Sequence, residues 1–308
     1  MFNFKNTINF LSARRITTTI SIVLMIFSLV SITSKGFNLG IDFTGGFQIE
    51  IRYLQPPKIE DVRNHLSSGG FNDAIVQNSG SATDIMIRIA PREGFDSRTV
   101  GKLIIESLSQ SSNPAELMSS EYVSAQVGEE LTEQGGLAMI FALIMIMIYI
   151  VFRFQWKFSI GAVMALIHDV LITVGVFSFF QINFDLAVLA AILAVVGYSL
   201  NDTIVIFDRI RENFRSMRRA ETLDILNSSI TQTISRTMIT SSTTLLVLLA
   251  LYIMGGQSLQ GFSLALIVGV LIGTYSSIFI ASISIFYLDI STSDLLPSKR
   301  EEVDDGMP

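Results

Sequence analysis

Long apolar segments alternate with polar ones along the chain, and this alternation predicts a membrane protein. Six segments are apolar over the length of helix that crosses a bilayer, about 20 residues. They cover residues 16–34, 136–152, 158–180, 186–207, 238–254 and 262–288. The first could be a secretory signal, but Ser-Lys-Gly-Phe follows it instead of a small-residue cleavage site. We therefore predict a retained anchor and six transmembrane helices.

The polar stretch between the first two apolar segments, residues 35–135, predicts one small domain outside the membrane. Alternating or apolar runs at 47–53, 74–77, 85–89 and 122–127 predict strands, and helical spacing at 57–68 and 100–108 predicts helices. The order β-α-β-β-α-β is that of a ferredoxin-like α/β sandwich. Residues 128–136 are acidic and contain glycine, which favours a hinge before the second span.

Basic residues in the short loops predict the orientation, because lysine and arginine concentrate on the cytoplasmic side. The loops at 181–185 and 255–260 contain neither residue. The basic residues of the other short loops and of both ends all fall on the opposite side: Lys5, Arg14, Arg15, Arg153, Lys157, Arg209, Arg211, Arg215, Arg218, Arg219, Arg236, Lys299 and Arg300. This predicts a cytoplasmic N-terminus (1–15), transmembrane helix 1 (16–34), an outer domain (35–135), helices 2–6 (136–288) with a basic cytoplasmic loop at 208–236, and a cytoplasmic tail (289–308).

Composition narrows the possible chemistry. Half of the residues are hydrophobic and 16% are charged, against about 25% charged in a soluble domain. The chain has no cysteine, which excludes disulfides and thiolate metal sites. Its two histidines, His65 and His168, are too few for a histidine metal site. We therefore expect no metal and no organic cofactor.

The fourth apolar segment contains a carboxylate, Asp202. A charge in hydrocarbon costs roughly 2.5 to 3.5 kcal/mol, so such a residue usually carries a proton or pairs with a cation. Asn201 precedes it, and Gly197 and Tyr198 lie one turn earlier. The alternative is a carboxylate hydrated at the cytoplasmic end of the helix, because Asp208 follows only about 9 Å further along the axis.

Arg236 opens the fifth segment and has the same two interpretations. Thr237, Ser241 and Thr244 follow it at helical spacing. Arg236 is either a cytoplasmic anchor or the partner of Asp202. A guanidinium favours the ionised form of a nearby carboxyl group while burial opposes it, so such a pair can exchange protons near neutral pH.

Two further ionisable residues, His168 and Asp169, stand inside the third segment. Asp169 shares a helix face with Gly161, Ala165 and Thr173, so we expect it to point into the bundle. A role in a proton relay and a purely structural hydrogen bond both remain open for this pair.

Two other patterns concern packing. The last segment has a small residue at every fourth position, which allows close helix contact within the chain or with a partner subunit. These residues are Gly261, Ala265, Gly269, Gly273, Ser277 and Ala281.

In the loop 208–236, Ile210, Phe214 and Met217 alternate with arginines, which predicts an amphipathic helix on the cytoplasmic surface.

Two motifs carry a family resemblance. GIDFTGG (residues 40–46) lacks the frame of a phosphate-binding loop and by itself predicts a turn into a strand. Together with VGYSLNDTIVIFDRIREN (residues 196–213), it resembles the SecD/SecF family of bacterial protein-export membrane proteins, and within it the SecF type. The motif positions are Gly40, Asp42, Phe43, Gly45, Gly46, Gly197, Tyr198, Asp208 and Arg209.

The resemblance implies a function as well as a fold. It implies half of a twelve-span RND-type transporter that pairs with SecD in the inner membrane and uses the proton motive force to promote late steps of protein export. Asp202 matches the proton-linked aspartate of the family, and Arg236 matches its arginine. The implied coupling ion is the proton. The implied partners are SecD, the SecYEG translocon, YajC, YidC and an unfolded polypeptide, without nucleic acid.

Three rival functions remain at this point. A half-sized RND exporter of small molecules or lipids would share the proton site. A passive scaffold would stabilise the translocon without using protons. An intramembrane aspartyl protease needs Tyr-Asp and Gly-x-Gly-Asp motifs, whereas this chain has His-Asp and Leu-Asn-Asp. We therefore predict no hydrolytic site.

Overall fold

Six long apolar helices form the membrane part of the computed structural model, which describes residues 7–92, 96–108, 113–217 and 219–291. Within these residues the helices of membrane-spanning length are Phe10–Lys35, Ala125–Arg153, Trp156–Phe180, Leu186–Ser216, Thr222–Met254 and Ser258–Tyr287. The predicted fold class, six such helices with one small α/β domain, is confirmed. Lys5, Arg218, Lys299, Arg300 and most of the predicted tail 289–308 lie outside the described residues.

The first span leads into a short junction. A 3-10 turn, Phe10–Ala13, precedes α1 (Arg14–Lys35), and β1 (Asn38–Leu39) follows it. The chain then makes one helical turn, α2 (Ile41–Thr44), where the sequence predicted only a turn into a strand. Gly45 and Gly46 end this helix with φ angles of 66° and 114°, which favour glycine.

The outer domain has the predicted order of elements. These are β2 (Gly46–Tyr53), α3 (Ile59–Ser68), β3 (Ile75–Ser79), β4 (Ser81–Ile89), α4 (Ser97–Leu108) and β5 (Ala115–Val123). The strands lie in the order β3-β4-β2-β5 with every neighbouring pair antiparallel, as in a ferredoxin-like sandwich. The last strand lies at 115–123, so its predicted position at 122–127 is wrong.

One face of the sheet and the two helices form the core of this domain. Alternate residues of the central strands, such as Phe47 and Ile49 in β2 and Ile87 in β4, are completely buried. They pack against Leu66 of α3 and Ile104 of α4 in a single apolar cluster. Burial of each such side chain stabilises the domain by about 1.5 to 3 kcal/mol.

The predicted hinge at 128–136 is wrong, because these residues belong to a helix. The second span, α5 (Ala125–Arg153), begins directly after β5 and is capped by Ser124, whose hydroxyl accepts a hydrogen bond from the Val127 amide at 3.3 Å. Gly128 marks a close contact instead of flexibility. A Cβ atom there would lie 2.8 Å from the amide nitrogen of Gly45.

The basic segment 208–236 is also not a loop. After α6 (Trp156–Phe180) and β6 (Asn183–Phe184), the fourth span α7 (Leu186–Ser216) continues past the predicted boundary, and α8 (Thr222–Met254) begins soon afterwards. Ile210 and Phe214 are buried against Leu226 and Ile230 of α8. The arginines suggested a surface helix, but the apolar side chains between them extend the bundle.

The last span packs its small residues against α7. It consists of α9 (Gln257–Ser276), a π-helical turn (Ser277–Ala281) and α10 (Ser282–Tyr287). A Cβ atom on Gly273 would lie 3.0 Å from the Cβ of Ser199, and one on Gly269 would overlap Val195. This contact places α9 directly against α7, the helix that carries Asp202.

Candidate functional site in the helix bundle

Asp202 is a buried carboxyl group in the middle of α7. Its residue is 4% exposed, and its Oδ2 atom has no hydrogen-bond partner among the residues that the structure describes. Asn201 and Gly197 on the same helix are exposed, so the carboxyl group lies just below a surface. Burial of a charge without a partner is costly, and a proton or an additional partner would relieve that cost.

The cation that acts on this carboxyl group is Arg236 of α8. It interacts electrostatically with Asp202, but it donates no hydrogen bond to the free Oδ2 atom. Arg236 is exposed, whereas Thr237 and Ser241, further along α8, are buried. The Arg236 guanidinium and the Asp202 carboxyl group therefore interact at the edge of the bundle without a hydrogen bond to Oδ2.

His168 and Asp169 of α6 form the most enclosed polar cluster, with 1% and 0% exposure. The His168 Nδ1 atom lies 2.9 Å from Asp169 Oδ1. The hydroxyl groups of Ser199 and Ser276 donate to Asp169 Oδ2 at 2.5 and 2.7 Å. Because these serines belong to α7 and α9, Asp169 ties three helices together. The structural hydrogen bond is thus present, and a relay role stays a prediction.

This cluster is next to the Asp202 carboxyl group along α7. Ser199 precedes Asp202 by three residues, which is almost one helical turn. At the same level the Tyr198 hydroxyl donates to Ser241 Oγ at 3.2 Å, and Ser241 and Thr274 share a hydrogen bond of 2.7 Å. The turn of α7 that precedes Asp202 is therefore held by polar contacts of Tyr198 and Ser199 to α8 and α6.

Two family models match the chain over most of its length. The model described as "Protein export membrane protein SecD/SecF, C-terminal" matches residues 104–290, and the model described as "SecD/SecF GG Motif" matches residues 30–56. The chain belongs to the SecD/SecF family.

Relatives place it in the SecF branch of this family. Protein translocase subunit SecF of Pseudomonas aeruginosa is 50% identical over 98% of both chains. SecF of Vibrio alginolyticus is 48% identical over 97% of this chain and 95% of its own length. SecF of Escherichia coli O157:H7 is 45% identical over 92% of this chain and 88% of its own length. The chain is thus a translocase subunit, which argues against the small-molecule exporter.

Two solved structures have the same fold. The crystal structure of SecDF from Thermus thermophilus matches with a TM-score of 0.84 and 35% identity, over 94% of this chain. A SecDF structure in the Super-membrane-facing form covers the same share with 36% identity and a TM-score of 0.69. This chain matches 40% of the length of each SecDF chain. The two scores differ at equal coverage, so the matched part is arranged differently in the two structures.

The motif residues predicted from the family resemblance fall in three places. Gly197, Tyr198 and Asp202 belong to the site described above. Asp208 and Arg209 lie further along α7, where Asp208 pairs with Arg153 at 2.9 Å and Arg209 with Glu212 at 2.6 Å. These exposed ion pairs stand apart from the buried carboxyl groups.

The third place is the start of α7, where the GG motif lies. The Leu186 amide donates to Asp42 Oδ2 at 3.0 Å, and the Val188 amide donates to Asp185 Oδ1 at 2.9 Å. The Gly40 amide donates to the Phe184 carbonyl at 2.8 Å, and the Phe43 and Phe184 rings are 6.1 Å apart. Burial raises the pKa of Asp185, and the charge of Asp42 adds to that effect.

Sequence reasoning missed several residues of the SecF bundle. Ser199, Ser276 and Tyr275 are ordinary polar residues in apolar spans, and only the fold brings them to His168 and Asp169. The His168 and Tyr275 rings stack at 6.0 Å. The available sequence signal for these hydrogen-bond donors was the presence of isolated serines in spans that are otherwise apolar. Within the described residues, no three His, Asp or Glu side chains gather closely enough to hold a metal ion.

Proposed function

We propose that this chain is the SecF half of a proton-coupled complex that, together with SecD, promotes late steps of protein export across the bacterial inner membrane. The observation that carries the proposal is the buried Asp202 carboxyl group, whose Oδ2 atom has no partner in the described chain. A change of its charge in a low-dielectric medium is worth several kcal/mol, enough to alter helix packing. One proton that crosses about 100 mV supplies about 2.3 kcal/mol.

The uncovered side of the site supports SecD as the partner. Gly197, Asn201 and Arg236 are exposed around Asp202, and α5 and α8 bury little of their surface within this chain. The SecDF chains are longer than the part that this chain matches. SecD would cover this side and bring the carboxyl group into contact with further residues. SecYEG, YajC, YidC and the exported polypeptide are partners that only the family suggests.

The distribution of charge supports an orientation with both termini in the cytoplasm and the outer domain in the periplasm. Arg153 of α5 and Asp208 of α7 meet at one end of the bundle, where Lys157 also donates to the Asp289 carbonyl. The loops at the other end, 181–185 and 255–260, contain no lysine or arginine. Positive charge on one side is the usual sign of the cytoplasmic face.

Each polar group has a distinct part in this mechanism. Asp202 binds and releases a proton. The Arg236 guanidinium attracts the Asp202 side chain more strongly when that side chain is ionised. Asp169 holds α6, α7 and α9 as one unit through the two serines. A change at Asp202 would therefore act on the contacts of this unit with α8 at the same level, where Tyr198 donates to Ser241 and Ser241 shares a hydrogen bond with Thr274. The chain acts as a transport accessory in this scheme, without a hydrolytic reaction.

Export into inverted membrane vesicles, with and without a proton gradient, tests the proposal. We expect Asp202→Asn and Arg236→Ala to assemble with SecD and to lose the stimulation that the gradient provides. Glu212→Gln is the matched control, because it neutralises an exposed carboxyl group on the same helix and should keep the stimulation. Full stimulation in an assembled Asp202→Asn complex would refute proton coupling at this residue and would favour the passive scaffold.

A further inference from the structure

The GG motif holds the start of the helix that carries Asp202. Leu186 is the first residue of α7, and the first amide groups of a helix have no partner within the helix. Asp185 caps one of them from within the same segment of chain. Asp42 accepts the Leu186 amide from 144 positions earlier in the sequence. A negative charge is also favourable at this end of a helix.

The same short helix, α2, is clamped on its other side by α5. A Cβ atom on Gly45 would lie 2.8 Å from Ala125 Cα, and one on Gly128 would lie 2.8 Å from Gly45 N. The Thr132 hydroxyl donates to the Gly128 carbonyl at 2.7 Å and lies 3.4 Å from the Phe43 carbonyl oxygen. The backbones are therefore in direct contact, so α2 cannot shift without the start of α5.

A second link joins the outer domain to this junction. Arg88 of β4 is 6% exposed and donates to the Leu39 carbonyl, to Asn38 Oδ1 and, at 3.2 Å, to Asn183 Oδ1. These acceptors belong to the parallel pair β1 and β6, which leads directly into α7. Burial lowers the pKa of the Arg88 guanidinium. Its Nε atom has no partner among the described residues, so the bonds from its two terminal nitrogens are what offset the cost of the buried cation and fix the domain to this pair of strands.

We propose that Asp42 is a positioning residue for proton-driven export: it transmits the movement of α7 at Asp202 to the outer domain. The inference rests on the proposed function. From Leu186 to Asp202 the helix is continuous and rises about 24 Å. A displacement at Asp202 therefore reaches Leu186 and passes through Asp42 to α2. Gly45 and Gly46 then lead into β2, a central strand of the outer sheet.

Distance measurements in the assembled complex test this coupling. This chain has no cysteine, so spin labels at Lys102→Cys on the outer domain and Ser216→Cys at the far end of α7 are specific within it, and any cysteine of the partner is replaced first. Both positions are exposed. In the otherwise unaltered complex, we expect the label distance to change when a proton gradient is applied. In Asp42→Ala we expect that change to vanish and gradient-dependent export to fall about fivefold, the factor associated with the loss of a helix cap.

Two further variants separate transmission from folding. Asp42→Asn keeps an oxygen that can accept the Leu186 amide, and we expect it to retain most of the distance change. Asp96→Ala removes the residue that caps α4 in the same domain, where Asp96 Oδ1 accepts the Thr99 amide at 2.7 Å, and it should behave as the unaltered complex. Normal distance changes and export in assembled Asp42→Ala would overturn the inference.

Leu186→Pro decides the question if Asp42→Ala does not assemble. Proline is well accepted at the first position of a helix, and it removes the amide that Asp42 binds. Asp185 has the extended backbone that a following proline requires. Coupling must be lost in this variant too. Leu186→Ala keeps this amide and is the control for the loss of the leucine side chain, which packs against an apolar cluster; it should retain the distance change. Asp202→Asn is measured in parallel: if it keeps gradient-dependent export, the proposed function fails, and if it loses that export while Asp42→Ala and Leu186→Pro keep it, the inference alone fails.

Discussion

Two buried carboxyl groups in the bundle have opposite surroundings at the scale of single residues. Asp169 accepts hydrogen bonds from two serines and contacts His168, while the Asp202 Oδ2 atom has no partner in the described chain. Several hydrogen-bond donors around a carboxyl group stabilise one of its protonation states and hold it in one geometry. A carboxyl group without them responds to its surroundings. The difference explains why we assign the structural part to Asp169 and the proton-binding part to Asp202.

The first prediction compares these two residues. Asp169→Ala leaves His168, Ser199 and Ser276 buried without their acceptor, and each unsatisfied group costs about 1 to 3 kcal/mol. We expect a clear drop in the thermal unfolding temperature of the purified complex. Asp202→Ala removes an unpartnered group, and we expect the unfolding temperature to stay the same or rise. Equal losses in both variants would contradict the distinction.

The second prediction concerns the pH dependence of the outer domain. Asp84 accepts two hydrogen bonds from Arg52, at 2.8 and 2.9 Å. The Arg52 guanidinium holds the pKa of the Asp84 carboxyl group below its ordinary range. The ion pair therefore stabilises the domain above the ordinary aspartate pKa of about 3.9, and this stabilisation is lost as the pH falls towards the lowered value.

Hydrogen exchange in β4 measures this effect between pH 3 and pH 6. In the unaltered chain, we expect protection to decrease with acidification over the lower part of this range. Asp84→Asn should have lower protection at pH 6 and a smaller dependence on pH. An unchanged profile in the variant would show that Asp84 contributes nothing to the acid sensitivity.

Individual helices and strands were predictable where the periodicity was strong. The outer domain follows the β-α-β-β-α-β order because apolar alternation and Gly-containing turns mark its elements. The starts of α5 and α8 and the end of α7 were not predictable. Gly128 was interpreted as a hinge, although it serves a backbone contact with Gly45. The arginines after Asp208 suggested a loop, although Ile210 and Phe214 are buried between them. Such contacts join distant segments, and local sequence does not reveal them.

The third prediction tests the contact between α9 and α7. A Cβ atom on Gly269 would lie 2.1 Å from Val195 Cγ2 and 2.9 Å from its Cβ, so Gly269→Ala must separate the two helices. We expect a loss of about 1 to 3 kcal/mol in stability, as is usual for overpacking. Gly136→Ala in α5 is the control, because nothing lies within 4 Å of the added carbon. It should be neutral or stabilise the helix by up to about 1 kcal/mol.

Among the residues that the structure describes, one side of the bundle is without cover. Ala190, Ala194, Gly197 and Asn201 follow one another along α7 and are exposed. Small residues in this arrangement allow another helix to approach closely in lipid. Sequence analysis had assigned such a pattern only to the last span, whose small residues pack on α7 instead. Of the two alternatives left open for the last span, the fold shows contact within the chain, and the exposed small residues lie on α7 beside Asp202.

The last prediction follows from this uncovered surface. Asn201 is exposed in the isolated chain, so Asn201→Cys should react with a small maleimide in detergent. Reaction requires access and ionisation of the thiol, and both should be lost when SecD covers α7. We expect at least tenfold slower labelling in the SecD complex. Leu54→Cys in the outer domain is the control, because this highly exposed position lies away from the bundle. If Asn201→Cys reacted equally fast in both states, the partner would not cover the Asp202 side of α7. The Asp202 carboxyl group would then have to exchange its proton at an uncovered surface of the bundle.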